Sequence, residues 1–103
     1  MATNWAYILT NKARGGFYHG STSDPAARLE EHRSGRGSVH VRKYGLFRLV
    51  WFQACEDKED ALTLEHRMKR KNRERKIAII ESFNPTWNDL TEVWLEEAKR
   101  TWP

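Results

Sequence analysis

The segment from Phe17 to His32, FYHGSTSDPAARLEEH, concentrates side chains that can bind phosphate or transfer protons. It carries a tyrosine, two histidines, an arginine and several hydroxyls, and few residues that suit a hydrophobic core. Arg28 and His32 are four positions apart, so on a helix they share one face with their Cβ atoms about 6 Å apart. An anion beside the two basic groups would stabilise the pair. The alternative is an exposed helix face on which Arg28 pairs with Asp24.

Glu65 is unusual because it falls inside the apolar stripe of a predicted helix. The stripe consists of Ala61, Leu62, Leu64 and Met68, at a spacing of three to four residues. A carboxylate on an inward-facing arc is costly unless a cation or hydrogen bonds satisfy it. Two interpretations stay open: a salt bridge to a neighbouring arginine, or a ligand for a hard cation such as Mg²⁺ or Mn²⁺.

Tyr7 and Tyr18 lie on two strands that are predicted to pair. Tyrosines in strands more often serve packing than chemistry. Tyr18, however, leads into Gly20, where the missing side chain allows another group to approach the backbone closely. The other histidines show no metal-ligand spacing, and we expect surface positions or local hydrogen bonds for His19, His40 and His66.

The elements that must position these residues follow from hydrophobic patterns and chain breakers. The strands WAYILT and FYHGST are separated by NKARGG, whose glycine pair can supply the positive φ of a turn. A capped helix begins at Pro25 and ends near Gly35, and FRLVWFQAC forms a third strand after a basic loop. Two helices follow, of which the first carries Glu65 and the second spans about 73–83.

The predicted order is β-β-α-β-α-α, with one optional helix from Thr91 to about Arg100. This pattern is typical of an α+β fold in which helices flank a small three-stranded antiparallel sheet. We expect the tryptophans Trp87, Trp94 and Trp102 to serve packing or a C-terminal interface.

Length and composition limit the class of protein. A chain of 103 residues with 39% hydrophobic and 31% charged residues is typical of one soluble globular domain. It contains no apolar run near the roughly 20 residues of a membrane helix, and its N-terminal segment lacks signal-peptide features. The single cysteine, Cys55, excludes an internal disulfide and a multi-cysteine zinc site. We therefore expect a cytoplasmic protein without membrane association, and the oligomeric state stays open.

Basic residues are concentrated in two segments of a chain whose net charge is +4. The segment from Arg67 to Lys76 is basic almost throughout, and a second basic group lies in the glycine-punctuated loop. Such clusters favour a polyanion such as nucleic acid, although a solvated helix face explains the same charges. The residues expected to bind nucleic acid are Arg33, Arg36, Arg42, Lys43, Lys69, Arg70, Lys71 and Arg73.

Together these motifs resemble the GIY-YIG nuclease superfamily, especially its small single-domain bacterial members. WAYI with Tyr7 and FYHG with Tyr18 are similar to the two name-giving motifs, and STSDPAARLEEH is similar to the family's arginine and histidine segment. The resemblance continues through RLVWFQAC, the helix with Glu65 and NPTWNDL, over roughly residues 5–92. It implies a single domain spanning 1–103, with a C-terminal helical extension at about 91–103. His19 departs from the family, because an apolar residue is usual there.

The resemblance implies a metal-dependent endonuclease that hydrolyses phosphodiester bonds in DNA, including the structure-selective kind that acts in repair or recombination. One divalent cation, Mg²⁺ or Mn²⁺, would be held by Glu65, and no small-molecule cofactor is expected. One alternative is a nucleic-acid-binding module on a nuclease scaffold with little or no cleavage; another is an interaction protein whose basic helix docks an acidic partner. An asparagine that some family members carry has two candidates here, Asn72 and Asn84.

The resemblance also implies a role for each of five catalytic residues. Tyr7 would orient or deprotonate the attacking water, and Tyr18 would help to position water and phosphate. Arg28 would stabilise the charge that grows on the phosphate, a role that suits its planar set of donors. His32 would support the phosphate or a proton transfer. The predicted catalytic set is Tyr7, Tyr18, Arg28, His32 and Glu65.

Overall fold

A three-stranded antiparallel sheet forms the centre of the fold in the computed structural model, which describes residues 3–101. The strands are β1 (Asn4–Thr10), β2 (Phe17–Thr22) and β3 (Arg48–Cys55), in the spatial order β2-β1-β3. β1 is therefore the central strand, and its residues from Trp5 to Thr10 are all buried. The predicted α+β fold with a small antiparallel sheet is confirmed.

Five helices are assigned within residues 3–101: α1 (Pro25–Arg33), α2 (Val39–Tyr44), α3 (Lys58–Arg70), α4 (Arg73–Phe83) and α5 (Thr91–Thr101). α2 lies in the segment that was expected to be a basic loop. Ser38 caps this short helix, Gly45 ends it with a φ of 63°, and the fully buried Val41 anchors it. α5 corresponds to the optional last helix, while Trp102 lies outside the described residues.

The turn between β1 and β2 differs from the expected glycine turn. Arg14 adopts the left-handed conformation with a φ of 55°, and neither Gly15 nor Gly16 has a positive φ. Gly15 is needed for another reason, because a Cβ at this position would overlap the side chain of Asn11. The prediction that the glycine pair supplies the positive φ is therefore wrong.

The two faces of the sheet pack against different helices. Trp5, Tyr7 and Leu9 point to one face, which we call the tyrosine face, where they pack with residues of α1, α2 and α5. Ala6 and Ile8 point to the other, the isoleucine face, where they pack with residues of α3 and α4. Within residues 3–101, no helix is long and apolar enough to span a membrane.

Candidate functional site

Tyr7 and His32 form a buried pair on the tyrosine face. The Tyr7 hydroxyl lies 2.9 Å from Nε2 of His32, and the two residues are 1% and 2% exposed. β1 supplies the tyrosine, and the last turn of α1 supplies the histidine. The start of α1 is fixed by Asp24, whose carboxylate accepts a hydrogen bond from the backbone N–H of Ala27 at 3.1 Å. A local capping signal in the sequence therefore sets the position of His32 two turns later.

Two glycines leave the space that the pair occupies. Gly20 lies opposite Tyr7 in the sheet, and a Cβ there would come within 2.5 Å of the Tyr7 hydroxyl oxygen. A Cβ on Gly37 would lie 2.8 Å from Nδ1 of His32. The close approach expected at Gly20 is thus present, and Tyr7 is the group that approaches. Gly37 was not identified from the sequence, because it stands among other glycines in the basic loop.

Tyr18 completes an aromatic cluster around His32. Its ring lies 5.0 Å from the His32 ring and 6.3 Å from the Tyr7 ring, measured between centroids. Tyr7 is withdrawn from solvent, whereas Tyr18 is half-buried at the edge of the same cluster. Of the two tyrosines, Tyr18 is therefore the one that can present a hydroxyl to a bound molecule.

Arg28 and Glu65 place opposite charges beside the tyrosines. Both charges act on Tyr7 and on Tyr18, the arginine lowering and the glutamate raising the phenol pKa. Glu65 is half-buried on α3, and within residues 3–101 it forms no salt bridge. The salt-bridge interpretation of Glu65 therefore finds no partner among the described residues. The structure brings all five predicted catalytic residues to one cluster.

Burial dominates the acid–base behaviour of the Tyr7–His32 pair. It raises the pKa of Tyr7 far above the ordinary phenol value, with smaller contributions from Tyr18 and Glu65. It also lowers the pKa of His32, and the charge of Arg28 lowers that pKa further. At neutral pH, Tyr7 is therefore protonated and His32 is neutral.

The side chains of Tyr7 and Tyr18 interact, and their pKa values are coupled. This interaction contributes to the raised pKa of Tyr7 and offsets part of the burial effect on the pKa of Tyr18. Tyr18 thus lies beside Tyr7, whose hydroxyl is in turn hydrogen-bonded to Nε2 of His32. Nδ1 of His32 is buried and has no hydrogen-bond partner among the described residues. No second partner in that part of the chain therefore fixes the tautomer of the ring.

A polar pocket of about 190 Å³ opens beside Arg28. It combines two cationic side chains with hydroxyls from the end of β2, a donor set that suits a phosphate group. Lys58 and Arg28 supply its positive charges. Lys58 was missed in the sequence, although it precedes Glu65 by seven residues and therefore shares its side of α3. The lining residues are Asn4, Ser21, Thr22, Ser23, Arg28, Lys58 and Ala61.

A hard cation could be held here through a single protein carboxylate. No group of three His, Cys, Asp or Glu side chains able to hold a metal occurs within residues 3–101. Mg²⁺ is commonly bound by one or two carboxylates together with water and substrate phosphates. Glu65 forms no salt bridge among the described residues and lies one turn of α3 after Ala61, which lines the pocket, so it fits such a site.

Several predicted nucleic-acid-binding residues have protein partners. Arg33 pairs with Asp89 at 3.4 Å and donates to the Thr91 hydroxyl at 2.6 Å, so it links α1 to the start of α5. Arg36 forms an ion pair with Glu30. These two arginines are weaker candidates for binding nucleic acid than the exposed Arg42, Lys43, Lys69 and Arg70 and the half-buried Lys71.

The two candidate asparagines have structural partners. Asn72 caps α4 by accepting a hydrogen bond from the Arg75 N–H at 2.9 Å. Asn84 is buried and donates to the carbonyl of Val50 at 3.2 Å.

His19 does not lie at the surface, contrary to the sequence-based expectation. It is 9% exposed and points to the isoleucine face, opposite to Tyr18.

A family model described as the GIY-YIG catalytic domain matches residues 3–78. This chain belongs to the GIY-YIG family. The match contains the two tyrosines, the helix with Arg28 and His32, and Glu65. The match also contains Gly20, the position at which Tyr7 leaves no room for a side chain. The expected membership in a nuclease family is confirmed.

The chain is also similar to proteins named UPF0213. It is 36% identical to one from Aeromonas salmonicida over 94 residues, which cover 91% of this chain and 68% of the relative. It is 36% identical to another from Lacticaseibacillus paracasei, covering 82% and 94% of the two chains. The solution NMR structure of a UPF0213 protein from Bacillus halodurans aligns with a TM-score of 0.53 and 31% identity, covering 87% and 95%. The GIY-YIG fold is thus shared with a solved structure.

Proposed function

We propose that this protein is a metal-dependent endonuclease that hydrolyses phosphodiester bonds in DNA, with structure-selective cleavage in repair or recombination as its expected use. The observation that carries the proposal is the buried Tyr7–His32 pair, which lies beside Tyr18, Arg28 and the carboxylate of Glu65. A packing role alone does not account for a phenol and an imidazole held 2.9 Å apart behind a glycine.

The proton of the attacking water is proposed to pass to Tyr18, from Tyr18 to Tyr7, and from Tyr7 to His32. A phenol whose pKa is raised by burial cannot act as a preformed base at neutral pH. It can relay a proton, because it gives its own proton to the next group as it accepts one. Nε2 of the neutral His32 accepts the last proton, and Nδ1 has no described partner that would oppose this tautomer.

In this mechanism Tyr7 does not contact the attacking water. At 1% exposure its hydroxyl does not reach solvent, so Tyr7 transmits the proton while Tyr18 orients the water. As the oxygen of the water attacks phosphorus, the bond to the leaving 3′-oxygen breaks, and that oxygen takes a proton from solvent.

Arg28 and Lys58 are proposed to hold the scissile phosphate. The guanidinium of Arg28 stabilises the negative charge that develops on the phosphoryl oxygens, and Lys58, which lines the same pocket, adds a second positive charge beside the phosphate. A divalent cation bound by Glu65 would polarise a phosphoryl oxygen and stabilise the leaving 3′-oxygen.

The test is cleavage of a panel of plasmid, flap, junction and single-stranded DNA and RNA by the wild type and the variant Glu65→Gln. We expect cleavage with Mg²⁺ or Mn²⁺, none with EDTA, and none by the variant. DNA binding by Glu65→Gln should stay within about twofold, because a carboxylate does not hold a polyanion. Glu59→Gln, which removes an exposed carboxylate from the same helix, should cleave as the wild type does.

Cleavage by Glu65→Gln at the wild-type rate, or cleavage in EDTA, would contradict the metal-dependent mechanism. Absence of cleavage on every substrate, with salt-sensitive DNA binding retained, would favour a nucleic-acid-binding module instead.

A further inference from the structure

His19 carries a buried nitrogen that has no partner among the described residues. The side chain is 9% exposed, and its Nε2 forms no hydrogen bond within residues 3–101. Buried polar atoms in folded proteins nearly always have a hydrogen-bond partner, so an orphan calls for an explanation. The ring packs edge-on against Phe17 at 6.3 Å, which fixes its position without satisfying the nitrogen.

Cations from two helices act on this histidine and on one another. Burial lowers the pKa of His19, and the positive charges of Lys76 on α4 and Lys69 on α3 lower that pKa further. Lys76 is half-buried, and its pKa is lowered by this burial and by the positive charges of Lys69 and Arg73. Within residues 3–101, no carboxylate forms a salt bridge with any of these three cations. Two of these positive charges act on the histidine that carries the orphan nitrogen, a third acts on Lys76, and no described carboxylate pairs with any of them.

Arg73 is held in place at the rim of this cluster. Its guanidinium lies over the Phe17 ring at 5.1 Å and donates a hydrogen bond to the carbonyl of Arg14. Phe17 is itself stacked on Trp87, with an angle of 9° between the rings. The positive charge of Arg73 is thus fixed before any ligand arrives, which lowers the cost of binding an anion.

The cluster lies beside the candidate catalytic site, on the other side of the edge strand β2. Tyr18 and His19 are neighbours on β2 and point to opposite faces of the sheet. Lys69 follows Glu65 by four residues on α3, so it lies on the same side of that helix about 6 Å farther along. A strand of nucleic acid held at Glu65 can therefore continue along this edge to Lys69.

We propose that His19, Lys69 and Lys76 form a second phosphate-binding site, which takes a backbone phosphate of the strand that is cleaved. A phosphate there accepts hydrogen bonds from the two ammonium groups and from the imidazole, and it relieves the repulsion among the cations. The inference rests on the proposed function for the identity of the strand. The anion site itself depends only on the convergence of these side chains.

The test observes His19 directly, in the full chain and in EDTA, by long-range ¹H–¹⁵N NMR of the histidine rings. Titration with inorganic phosphate should shift the His19 Nε2 resonance saturably and leave the exposed His40 and His66 unchanged. Lys69→Gln with Lys76→Gln should weaken this binding tenfold or more, and His19→Phe should weaken it while preserving the packing with Phe17.

The matched control removes two charges from the same two helices on their other sides. Arg67 lines a groove with Gln53, and Arg75 lines one with Trp51 and Phe83. The double variant Arg67→Gln with Arg75→Gln should therefore retain phosphate binding within about twofold, because these arginines lie away from the cluster.

A second titration with single-stranded DNA separates a backbone phosphate from free phosphate. The His19 resonance should shift again, and the salt dependence of DNA binding should flatten more in the lysine double variant than in the arginine control. The slope of that dependence falls by about 0.7 for each phosphate that the protein ceases to neutralise.

The two titrations fail in different ways. A shift with phosphate but not with DNA would overturn the assignment to the strand, and no shift with either would overturn the site. Because neither titration needs cleavage, an intact site in a protein that fails to cleave would count against the proposed function alone.

Discussion

At the scale of single residues, the candidate site depends on two positions where a side chain is missing. Gly20 and Gly37 make room for the Tyr7–His32 pair, and burial then sets the protonation state of both partners. The glycines therefore shape the chemistry although neither carries a functional group.

Gly20→Ala tests this directly. Its Cβ would lie 2.5 Å from the Tyr7 hydroxyl oxygen, so the tyrosine ring or the strand must move. We expect cleavage to fall about 10²-fold, as displacement of a catalytic group by an ångström does, and the free energy of unfolding to fall by about 1–3 kcal/mol. Single-turnover cleavage and urea denaturation measure the two effects. Gly16→Ala is the control, since its Cβ would meet nothing closer than a Leu46 carbon at 3.6 Å.

The rate of cleavage should depend on the protonation of His32. Burial and Arg28 lower its pKa, so the neutral, proton-accepting form persists below the ordinary histidine pKa of about 6.5. The rate should be full at neutral pH and fall as the pH drops through the His32 pKa. His32→Gln should abolish the inflection in a pH–rate profile, and His66→Ala, on the exposed side of α3, should not move it. An inflection above pH 7 would contradict the relay.

At the scale of elements, local signals predicted most of the fold. Asp24 and Pro25 mark the start of α1, and the acids and bases at the two ends of α3 mark that helix. α2 was not predicted, because serine and glycine, which cap and end it at Ser38 and Gly45, are equally common in loops. Only the burial of Val41 in the tertiary structure distinguishes a helix from a loop here. Tertiary packing, which no local pattern contains, is the physical reason for this miss.

The role of Asn84 was undecidable from its position after the glutamate. In the structure its amide donates to the carbonyls of Val50 and Asn88 at 3.2 and 2.9 Å and thereby ties the end of α4 to β3. Asn84→Ala should cost about 2–3 kcal/mol in the free energy of unfolding, because it leaves buried backbone groups unpaired. The single-turnover rate of the folded protein at low temperature should not change. Asn88→Ala, whose exposed side chain makes neither bond, should alter stability by less than about 0.5 kcal/mol.

At the scale of the whole molecule, the sheet separates two sets of polar groups. The tyrosine face holds Tyr7, Tyr18 and His32, and the isoleucine face holds His19 among cations. Because side chains alternate along a strand, His19 and Tyr18 point in opposite directions. The depth of burial of His19 was not predictable, because it depends on how α3 and α4 cover that face.

This burial should make stability depend on pH. Burial, with Lys76 and Lys69, lowers the pKa of His19 to about 4, compared with about 6.5 in an unfolded chain. Between these values the unfolded state binds one more proton than the folded state, so the free energy of unfolding should fall as the pH drops from about 6.5 to about 4. Urea denaturation across this range should show a shallower decline for His19→Phe than for the wild type. Equal slopes would mean that His19 protonates as readily in the folded state.

The last helix has a consequence for how proteins of this kind can diverge. Trp94 of α5 is fully buried and its ring lies 5.1 Å from that of Tyr7, yet it falls beyond residues 3–78, where the family model matches. A residue that packs against Tyr7 therefore lies in a part of the chain beyond the residues that match the family model. Relatives that exchange or lose this C-terminal segment would change the surroundings of Tyr7 without altering any of the five predicted catalytic residues, and a recombinant fragment that ends at residue 78 would contain the whole match to the family model while lacking Trp94.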